Sequence, residues 1–383
     1  MFFTPLYAEL KSVFSLGKTE TDIPLSDISI RMLEFISAGK QMPFDTSAGK
    51  AAIPGFYPSP DSEMNENSRF FYPVFVPGKR KKYQHPILLL HGLNERSWLK
   101  YLPWAYYLCQ QTGRPVILFP IAFHINRSPD AWANPHAMLP LLNQRKCGLS
   151  PTDAATFVNV ALSERLSDNP LRFFTSGKQS ADDIVSLVSQ IRKGEHPLFE
   201  KGSETDIFAY SIGAFLAQII MLANPSELFS NTKLFMFCGG SVFSAMNGVS
   251  KLIMDKPAFD NIYKFYLHDI DDEIKQKSPF SDCLRKNPLG YAFHSMIDFK
   301  NHRSFRDNRF HEMRQRIQAV VLKNDKVIPA VETMLTLSGN AVMLDFPYDY
   351  THETPFPTAN PALAQRVDYS FENVFSRAAA FLS

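Results

Sequence analysis

Short apolar runs separated by longer mixed stretches dominate the chain from Phe70 onward. Several of these runs are apolar at consecutive positions, which is typical of strands buried on both faces of a parallel sheet. Seven runs have this character: 70–76, 86–90, 115–121, 206–210, 233–238, 317–323 and 341–346. Because helical stretches alternate with them, the pattern predicts an α/β fold with a mostly parallel central sheet flanked by helices.

Helical periodicity is clearest at 180–194. Ser180 is the predicted N-cap and Gly194 the predicted end of this helix. Before the first predicted strand, apolar residues recur at helical spacing after Thr4 and Pro5, which predicts a helix ending at Gly17. A second helix is predicted at about 26–39, and the proline-rich polar stretch at 54–68 predicts a loop.

Two intervals between predicted strands are too long for plain crossovers, at 122–205 and 241–316. The second is rich in aromatic and charged residues and is interpreted as a helical insertion. The expected organisation is an extension at 1–69, helical or extended and packed on the core, a core formed by 70–240 and 316–383, and an inserted helical segment at 241–315.

Composition excludes some classes of partner. The 383 residues are 45% hydrophobic, which is enough to bury a large core. The net charge of +2, from 40 basic and 38 acidic residues, gives no general attraction to nucleic acid or to an anionic membrane. No run approaches the length of a membrane-spanning helix, and the N-terminus has no positively charged region of a signal peptide.

The four cysteines are widely spaced, with no pair or nearby histidine at the spacing of a zinc site. We therefore expect reduced thiols, a cytoplasmic location, and no bound metal.

The segment "DIFAYSIGA" at 206–214 has the form of a strand followed by a sharp turn and a helix. Ser211 lies at the turn, where the nucleophile motif G-x-S-x-G would place a catalytic serine. Ala209 replaces the first glycine of that motif and Gly213 keeps the second. Residues at both positions must be small, and one extra methyl group is a tolerable change.

A serine nucleophile requires a base, an acid that orients the base, and donors for an oxyanion. Asp325 follows a predicted strand, and His352 lies on a loop after the last one. Asp345 and Asp349 are rival orienting acids, closer to His352 in sequence. The order Ser211, Asp325, His352 is nevertheless that of the triad in α/β-hydrolases.

The oxyanion donors are expected at two backbone amides, those of Leu93 and Ile212. Leu93 follows His91 and Gly92 at the end of a predicted strand, and Gly92 permits a sharp turn there. His91 is interpreted as a residue that braces this loop, with a direct catalytic role as the alternative.

The chain from about residue 70 to 383 resembles the α/β-hydrolase superfamily. The resemblance is carried by "HGLNERSW" at 91–98, "AYSIGA" at 209–214, "NDKVIP" at 324–329 and "DYTHE" at 349–353. It implies the α/β-hydrolase fold, a triad of Ser211, His352 and Asp325, and a helical cap where 241–315 lies. It also implies chemistry without a metal or organic cofactor.

The expected activity is that of a serine hydrolase acting on a small ester or similar acyl substrate. An acyltransferase or peptidase using the same triad, and a non-catalytic binding protein of this fold, are alternatives. His124 and Arg127, in the long segment after residue 121, are candidates for lining the pocket. Their alternative role is to satisfy polar groups in a long loop, and the oligomeric state stays open.

Overall fold

The computed structural model describes residues 2–38, 61, 64–148, 150 and 153–383. In this part of the chain nine strands form one sheet in the order β1-β2-β3-β5-β4-β6-β7-β8-β9. The strands are β1 (Glu20–Asp22), β2 (Ile28–Ile36), β3 (Arg69–Pro77), β4 (Ile87–Leu90), β5 (Val116–Leu118), β6 (Asp206–Tyr210), β7 (Leu234–Phe237), β8 (Ile317–Leu322) and β9 (Ala341–Leu344). All seven predicted strands are present, each within a few residues of its predicted ends.

The six strands from β5 through β4, β6, β7 and β8 to β9 run parallel. β1, β2 and β3 extend one edge of the sheet in antiparallel pairing, and β3 also pairs antiparallel with β5. The mostly parallel sheet flanked by helices confirms the predicted fold class, the α/β-hydrolase fold. A consequence is that the carboxyl ends of the parallel strands lie along one side of the sheet.

The connections between the strands are mainly helical. The described α-helices are α1 (Phe3–Val13), α2 (Asn65–Ser68), α3 (Leu102–Thr112), α4 (Pro135–Lys146), α5 (Val160–Asp168), α6 (Leu171–Lys193), α7 (Ile212–Ala223), α8 (Lys256–Lys264), α9 (Ile270–Lys275), α10 (Pro279–Lys286), α11 (Pro288–Ser295), α12 (Arg303–Glu312), α13 (Ala330–Thr336) and α14 (Ala364–Leu382). None of these helices is long and apolar enough to cross a membrane.

Two hydrophobic clusters cover the two faces of the sheet. Alternate residues of β4 point to opposite faces, so Leu88 and Leu90 join one cluster and Ile87 and Leu89 the other. The first cluster contains the buried faces of α6, α7 and α11, and the second contains those of α1, α3 and α14. The central strands are therefore buried on both sides, as their unbroken apolar runs indicate.

The N-terminal segment differs in part from its prediction. The first helix is present as α1, but the second predicted helix, at about 26–39, is wrong because 28–36 is strand β2. Residues Ile28 to Ile36 pair along their whole length with Pro77 to Arg69 of β3. The apolar spacing of this segment fits a helix and a strand equally, and the long hydrogen-bonded pairing with β3 selects the strand. Most of the predicted loop at 54–68 lies outside the described residues, and its last four residues form α2.

Helix α6 begins at Leu171, so the prediction of Ser180 as its N-cap is wrong. The Ser180 hydroxyl donates to the carbonyl of Ser176 at 2.7 Å, and the Ser176 hydroxyl donates to that of Arg172 at 2.5 Å. Both serines bond backward along the helix, which lets them sit within it instead of capping it.

The interval between β7 and β8 is helical and contains α8 to α12. A five-residue π-helical turn, Phe265–Asp269, joins α8 to α9. On α11, Phe293 packs against Phe173 and Phe174 of α6, with ring centroids 6.3 and 4.9 Å apart. These contacts attach the inserted helices to the core beside α7. The division of the chain into extension, core and insertion stays a prediction.

His196 is a buried histidine far from the carboxyl ends of the parallel strands. His196 lies between α6 and β6, where its Nδ1 accepts the Leu198 amide at 3.1 Å and its other nitrogen lies 2.8 Å from the Tyr72 hydroxyl. Burial, with a smaller contribution from the Lys82 charge, lowers the pKa of His196 to about 4. The imidazole is therefore neutral in the folded protein at pH values where an unfolded chain would protonate it.

We predict that His196 makes the folded protein sensitive to acid. Its contribution to stability is complete above the unfolded pKa of about 6.5 and is lost as the pH falls toward about 4. In the His196→Gln variant, the slope of unfolding free energy against pH between these limits should fall by about 1.4 kcal/mol per pH unit, the value for one proton. Denaturant unfolding at several pH values measures this, and an unchanged slope would contradict it.

Candidate active site

Five residues of the candidate site lie where the parallel strands end. Ser211 directly follows β6, Cys238 directly follows β7, and Asp325 comes three residues after β8. His352 lies on the loop after β9, and Leu93 lies on the loop after β4. Since these strands are parallel neighbours, their carboxyl ends bring the five residues to one edge of the sheet.

Ser211, His352 and Asp325 form a continuous hydrogen-bonded chain. The Ser211 Oγ lies 2.6 Å from Nε2 of His352, and Nδ1 of His352 lies 2.7 Å from Oδ2 of Asp325. An ionised carboxylate only accepts hydrogen bonds, so Nδ1 carries the ring proton and Nε2 accepts from the serine hydroxyl. All three side chains are buried. The arrangement can remove a proton from Ser211 and hold it on His352.

Asp325 is fixed from a second direction by the turn that follows it. Its Oδ1 accepts the amides of Val327 and Ile328, both at 2.9 Å. The rival carboxylates lie elsewhere: both are exposed, and Asp345 bonds Lys323 at 3.1 Å. Neither Asp345 nor Asp349 makes a hydrogen bond to His352 among the contacts of the described residues.

The turn at Ser211 has a strained backbone. Its φ of 57° and ψ of −122° lie in a region that residues other than glycine rarely adopt. A Cβ on Gly213 would lie 2.7 Å from the carbonyl oxygen of His91 and 2.8 Å from that of Leu90. Ala209 is buried with its methyl group accommodated in the core. The sequence therefore departs from the motif at the position that accepts a methyl group.

The amides of Leu93 and Ile212 are free donors. Neither donates a hydrogen bond to another residue in the described part of the chain. Ile212 is the first residue of α7, where helical amides have no partner within the helix. Both residues line the same cavity as Ser211. The unpaired N–H of Ile212 is therefore next to Ser211 at the positive end of the α7 dipole, and Leu93, whose N–H is also unpaired, lines the same cavity.

His91 has the bracing role and lies outside the hydrogen-bonded chain. Its Nδ1 lies 2.8 Å from the Gly92 carbonyl oxygen and its Nε2 accepts the amide of Ile121 at 2.9 Å. Burial is the main cause that lowers the pKa of His91 well below its usual value. Both ring nitrogens are therefore used, and the bond from Nε2 joins the loop after β4 to the segment after β5.

Of the two predicted pocket residues, His124 lines a cavity and Arg127 does not. His124 lines an apolar cavity next to Leu93 and Ile212. The Arg127 guanidinium is fully buried and pairs with Asp183 at 2.8 Å, and it also donates to the carbonyl oxygens of Pro120 and Asn67 at 3.0 and 3.1 Å. Arg127 is absent from the lining of either cavity at the site, within the described residues.

Two apolar cavities adjoin Ser211, with volumes of about 40 and 60 Å³. The smaller, the serine cavity, includes Ser211 and is lined further by Leu93, Phe173, Ile212, Phe243, Met246, Gly248, Ile253, Met254, Phe259, Ile262, Val327 and Ile328. The larger, the His124 cavity, is lined by Leu93, Ile121, His124, Phe173, Phe174, Ser176, Gly177, Lys178, Ala181, Ile212, Phe215, Leu216, Ile219, Leu289 and Phe293. They meet at Leu93, Phe173 and Ile212.

Sequence reasoning missed Tyr210 and Cys238. The Tyr210 hydroxyl donates to the backbone carbonyl of His352, and the two rings stack with centroids 5.5 Å apart. Burial and the neighbouring Asp325 carboxylate hold the pKa of the Cys238 thiol well above its usual value, so the thiol stays protonated. Their positions next to Ser211 and directly after β7 were the available signals. Only the folded arrangement brings them to His352 and Asp325.

A polar network, also missed, joins the loop of Leu93 to the loop of His352. The Gly92 amide donates to the Tyr101 hydroxyl at 2.9 Å, which donates to Glu95 Oε1 at 2.7 Å. Lys100 pairs with Glu95 and donates to the backbone carbonyl of Glu353 at 3.2 Å. The loop of Leu93 and the loop of His352 are therefore held at a fixed distance by the side chains of Tyr101, Glu95 and Lys100.

Comparison with known proteins gives a family and a set of distant structural likenesses. A family model described as "Family of unknown function (DUF6051)" matches residues 1–383. No curated protein matches the chain.

The solved structures that it is similar to include a cold-adapted esterase from an Arctic intertidal metagenomic library, at 10% identity over 93% of this chain and 97% of that one, with a TM-score of 0.39. A thermostable esterase from Pseudomonas putida ECU1011 is 9% identical over 99% and 88% of the two chains, with a TM-score of 0.40. A peroxisomal α/β-hydrolase from Saccharomyces cerevisiae is 11% identical over 92% and 89%, with a TM-score of 0.39. Such distant likenesses carry no information on activity.

We predict that Gly213→Ala destabilises the protein, because the new methyl group would push α7 away from β4. Overpacking of this kind costs about 1–3 kcal/mol. Gly177→Ala is the matched control, since a Cβ at this position in α6 meets nothing within 4 Å. That change should leave the protein as stable or add up to about 1 kcal/mol. Thermal unfolding compares the two variants, and equal stability would contradict the tight packing described at Gly213.

Proposed function

Because the chain belongs to DUF6051, a family of unknown function, its activity has to be argued from the site, and we propose that it is a serine hydrolase. The observation that carries this proposal is the hydrogen-bonded chain from Ser211 through His352 to Asp325, next to two unpaired amides. The proposed reaction cleaves an ester or similar acyl bond. The family match itself assigns no chemistry.

The proposed mechanism begins with proton transfer from Ser211 to His352. As His352 Nε2 takes the hydroxyl proton, Oγ attacks the carbonyl carbon and forms a tetrahedral intermediate. His352 then gives that proton to the leaving alcohol, which departs and leaves an acyl-enzyme. Water repeats the sequence, donating its proton to His352 while its oxygen attacks, and Ser211 regains a proton as the acid is released.

The negative charge of the intermediate requires donors at fixed positions. In the proposed mechanism these are the amides of Leu93 and Ile212, which need no rearrangement of side chains to point at the oxyanion. Losing one such donor typically costs about 3 kcal/mol in the transition state. Asp325 stabilises the imidazolium that forms on His352, while the amides of Val327 and Ile328 hold the carboxylate in place. This chemistry requires no metal or organic cofactor.

We propose that the helices between β7 and β8 act as the cap over this site. Support comes from the serine cavity, to which Phe259 and Ile262 of α8 and the preceding loop contribute apolar side chains. The loop is tied to both catalytic segments: Asn94 donates to the Leu252 carbonyl at 2.7 Å, and Ser250 bonds the Glu353 carboxylate. The cap and triad together favour a small, apolar acyl substrate.

Covalent labelling with a fluorophosphonate probe tests the nucleophile. We expect the wild-type protein to be labelled and Ser211→Ala to lose labelling. Ser241→Ala is the control, since Ser241 is also buried and its hydroxyl has no hydrogen-bond partner among the described residues. Absence of labelling in folded wild type would favour a non-catalytic binding protein. Labelling of Ser211→Ala would place the nucleophile elsewhere. Adding an alcohol or amine acceptor distinguishes hydrolysis from acyl transfer through the product formed.

We predict that Asp325→Asn lowers kcat on a 4-nitrophenyl ester by about 10⁴-fold, because an amide can hold His352 in the wrong tautomer. Asp345→Asn is the matched control on the neighbouring strand end, and it should keep wild-type kcat. A steady-state assay of both variants, with thermal unfolding to verify folding, checks this. Similar losses in the two variants would contradict the role of Asp325.

A further inference from the structure

We infer that the His124 cavity binds the acyl group of the substrate, and that this group is apolar but carries one hydrogen-bond donor, a hydroxyl or amide N–H, received by His124 Nε2. This inference rests on the proposed hydrolase function and names the substrate class of the same site. Three features of the described residues lead to it: the side of Ser211 on which the cavity lies, the free nitrogen of His124, and the glycine in α6.

The position of the two cavities assigns the two halves of an ester. The leaving alcohol must receive its proton from His352 Nε2, so it lies on the histidine side of Ser211. The serine cavity is on that side, because its lining includes Val327 and Ile328, whose amides bond the Asp325 carboxylate. Within the described chain, no residue of the Asp325 or His352 loops lines the His124 cavity. It adjoins the Leu93 and Ile212 amides, where the acyl oxygen would bind, and is left for the acyl group.

His124 offers an unused acceptor in this cavity. Its Nδ1 donates to the carbonyl oxygen of Ala122 at 2.8 Å, which leaves Nε2 with a lone pair. Nε2 is buried and has no hydrogen-bond partner among the described residues, and the side chain as a whole is 6% exposed. The His124 side chain lines the cavity, and with Nδ1 tied to the backbone, Nε2 is the ring nitrogen left to accept from a ligand. An unpaired buried acceptor costs about 1–3 kcal/mol, which a donor on the substrate would recover.

The loop holds His124 in a fixed orientation. Its two neighbours, Phe123 and Ile125, both have positive φ, at 64° and 50°. The Ala122 amide donates to the Ser180 hydroxyl of α6 at 2.9 Å, and the Ile125 amide donates to the Glu95 carbonyl at 3.1 Å. The backbone strain is therefore held by contacts on both sides, and the ring itself is held through Nδ1 by the Ala122 carbonyl.

The protonation state of His124 makes it an acceptor. Burial lowers its pKa to about 4, and the Arg96, Arg127 and Arg165 charges act in the same direction. At neutral pH the ring carries one proton, on Nδ1, so a substrate acceptor such as a carbonyl or ether gains nothing from it. The other wall residues are apolar apart from Ser176 and Lys178, and the Lys178 ammonium is already paired with Asp182 at 2.5 Å. A charged acyl group would therefore be desolvated without a free partner.

Gly177 keeps the far wall of the cavity open. It lies within α6, where glycine costs about 1 kcal/mol relative to alanine. A Cβ built on it meets no atom within 4 Å, so packing does not require glycine there. Gly177 lines the cavity together with Ser176 and Lys178, so we expect a long side chain here to narrow it. Retaining glycine therefore preserves room for a longer acyl chain.

Matched pairs of 4-nitrophenyl esters test the inference. Each pair has one acyl chain length, with either a terminal hydroxyl or a terminal methyl group. At one length, the wild-type protein should favour the hydroxyl ester by roughly tenfold in kcat/KM, the effect of one hydrogen bond. In His124→Asn, the amide can still donate to Ala122 while the Nε2 acceptor is lost, so the ratio of kcat/KM for the two esters should fall to about one. Equal rates for both esters at every length would overturn the inference, as would a preference that survives in His124→Asn.

Gly177→Leu gives an independent readout that leaves His124 in place. It should shift the preferred acyl chain to a shorter length while labelling of Ser211 by a small fluorophosphonate continues. An unchanged length preference would overturn the assignment of the acyl group to this cavity. Labelling of Ser211 also separates the two proposals: normal labelling without any hydroxyl preference contradicts only this inference, and no labelling contradicts the hydrolase function as well.

Discussion

The sharp turn between β6 and α7 is the constraint on which the rest of the site depends. It places Ser211 at a positive φ and directs the helix across the ends of the neighbouring strands. Two glycines make this approach possible: Gly213 lies against the carbonyl oxygens at the end of β4, and a Cβ on Gly239 would lie 2.4 Å from that of Ala214. The strain is offset by the packing around it. With the turn in place, the serine hydroxyl and the Ile212 amide have fixed positions.

The other parts of the site are held relative to that turn by side chains from three segments, one of them the turn itself. Tyr210, one residue before the serine, bonds the backbone of His352. Lys100 joins the histidine loop to Glu95 on the amide loop, and Ser250 joins it to the segment before α8. Because each bond links loops from different strand ends, movement of the inserted segment would disturb the histidine as well as the cavity beneath it. The position of the inserted segment and the hydrogen bonds of His352 are therefore coupled through these contacts.

The sequence allowed the central strands to be predicted, because an unbroken apolar run is a local feature. It also pointed to Ser211, Asp325, His352 and His91 as strand-end residues, and their roles stay a prediction. Apolar runs mark strands buried on both faces, and a polar residue after such a run lies at a strand end. Strand β2 was not recognisable, since the spacing in "ISIRMLEFI" fits a helix as well, and pairing with the distant β3 decides it. Tyr210 and Cys238 were missed because their partners lie far away in sequence and only packing brings them together.

His124 and Arg127 show why pocket residues are harder to predict than strand-end residues. They are three positions apart in one loop, both are buried and polar, and the sequence offers no reason to separate them. Arg127 finds a carboxylate and two carbonyl oxygens, so its burial is compensated within the fold. His124 uses one nitrogen for the fold and leaves the other unpaired. Each side chain leaves one buried nitrogen unpaired among the described residues, Nε of Arg127 and Nε2 of His124. The two differ in position, because only His124 lines the apolar cavity in which the proposed acyl group would meet it.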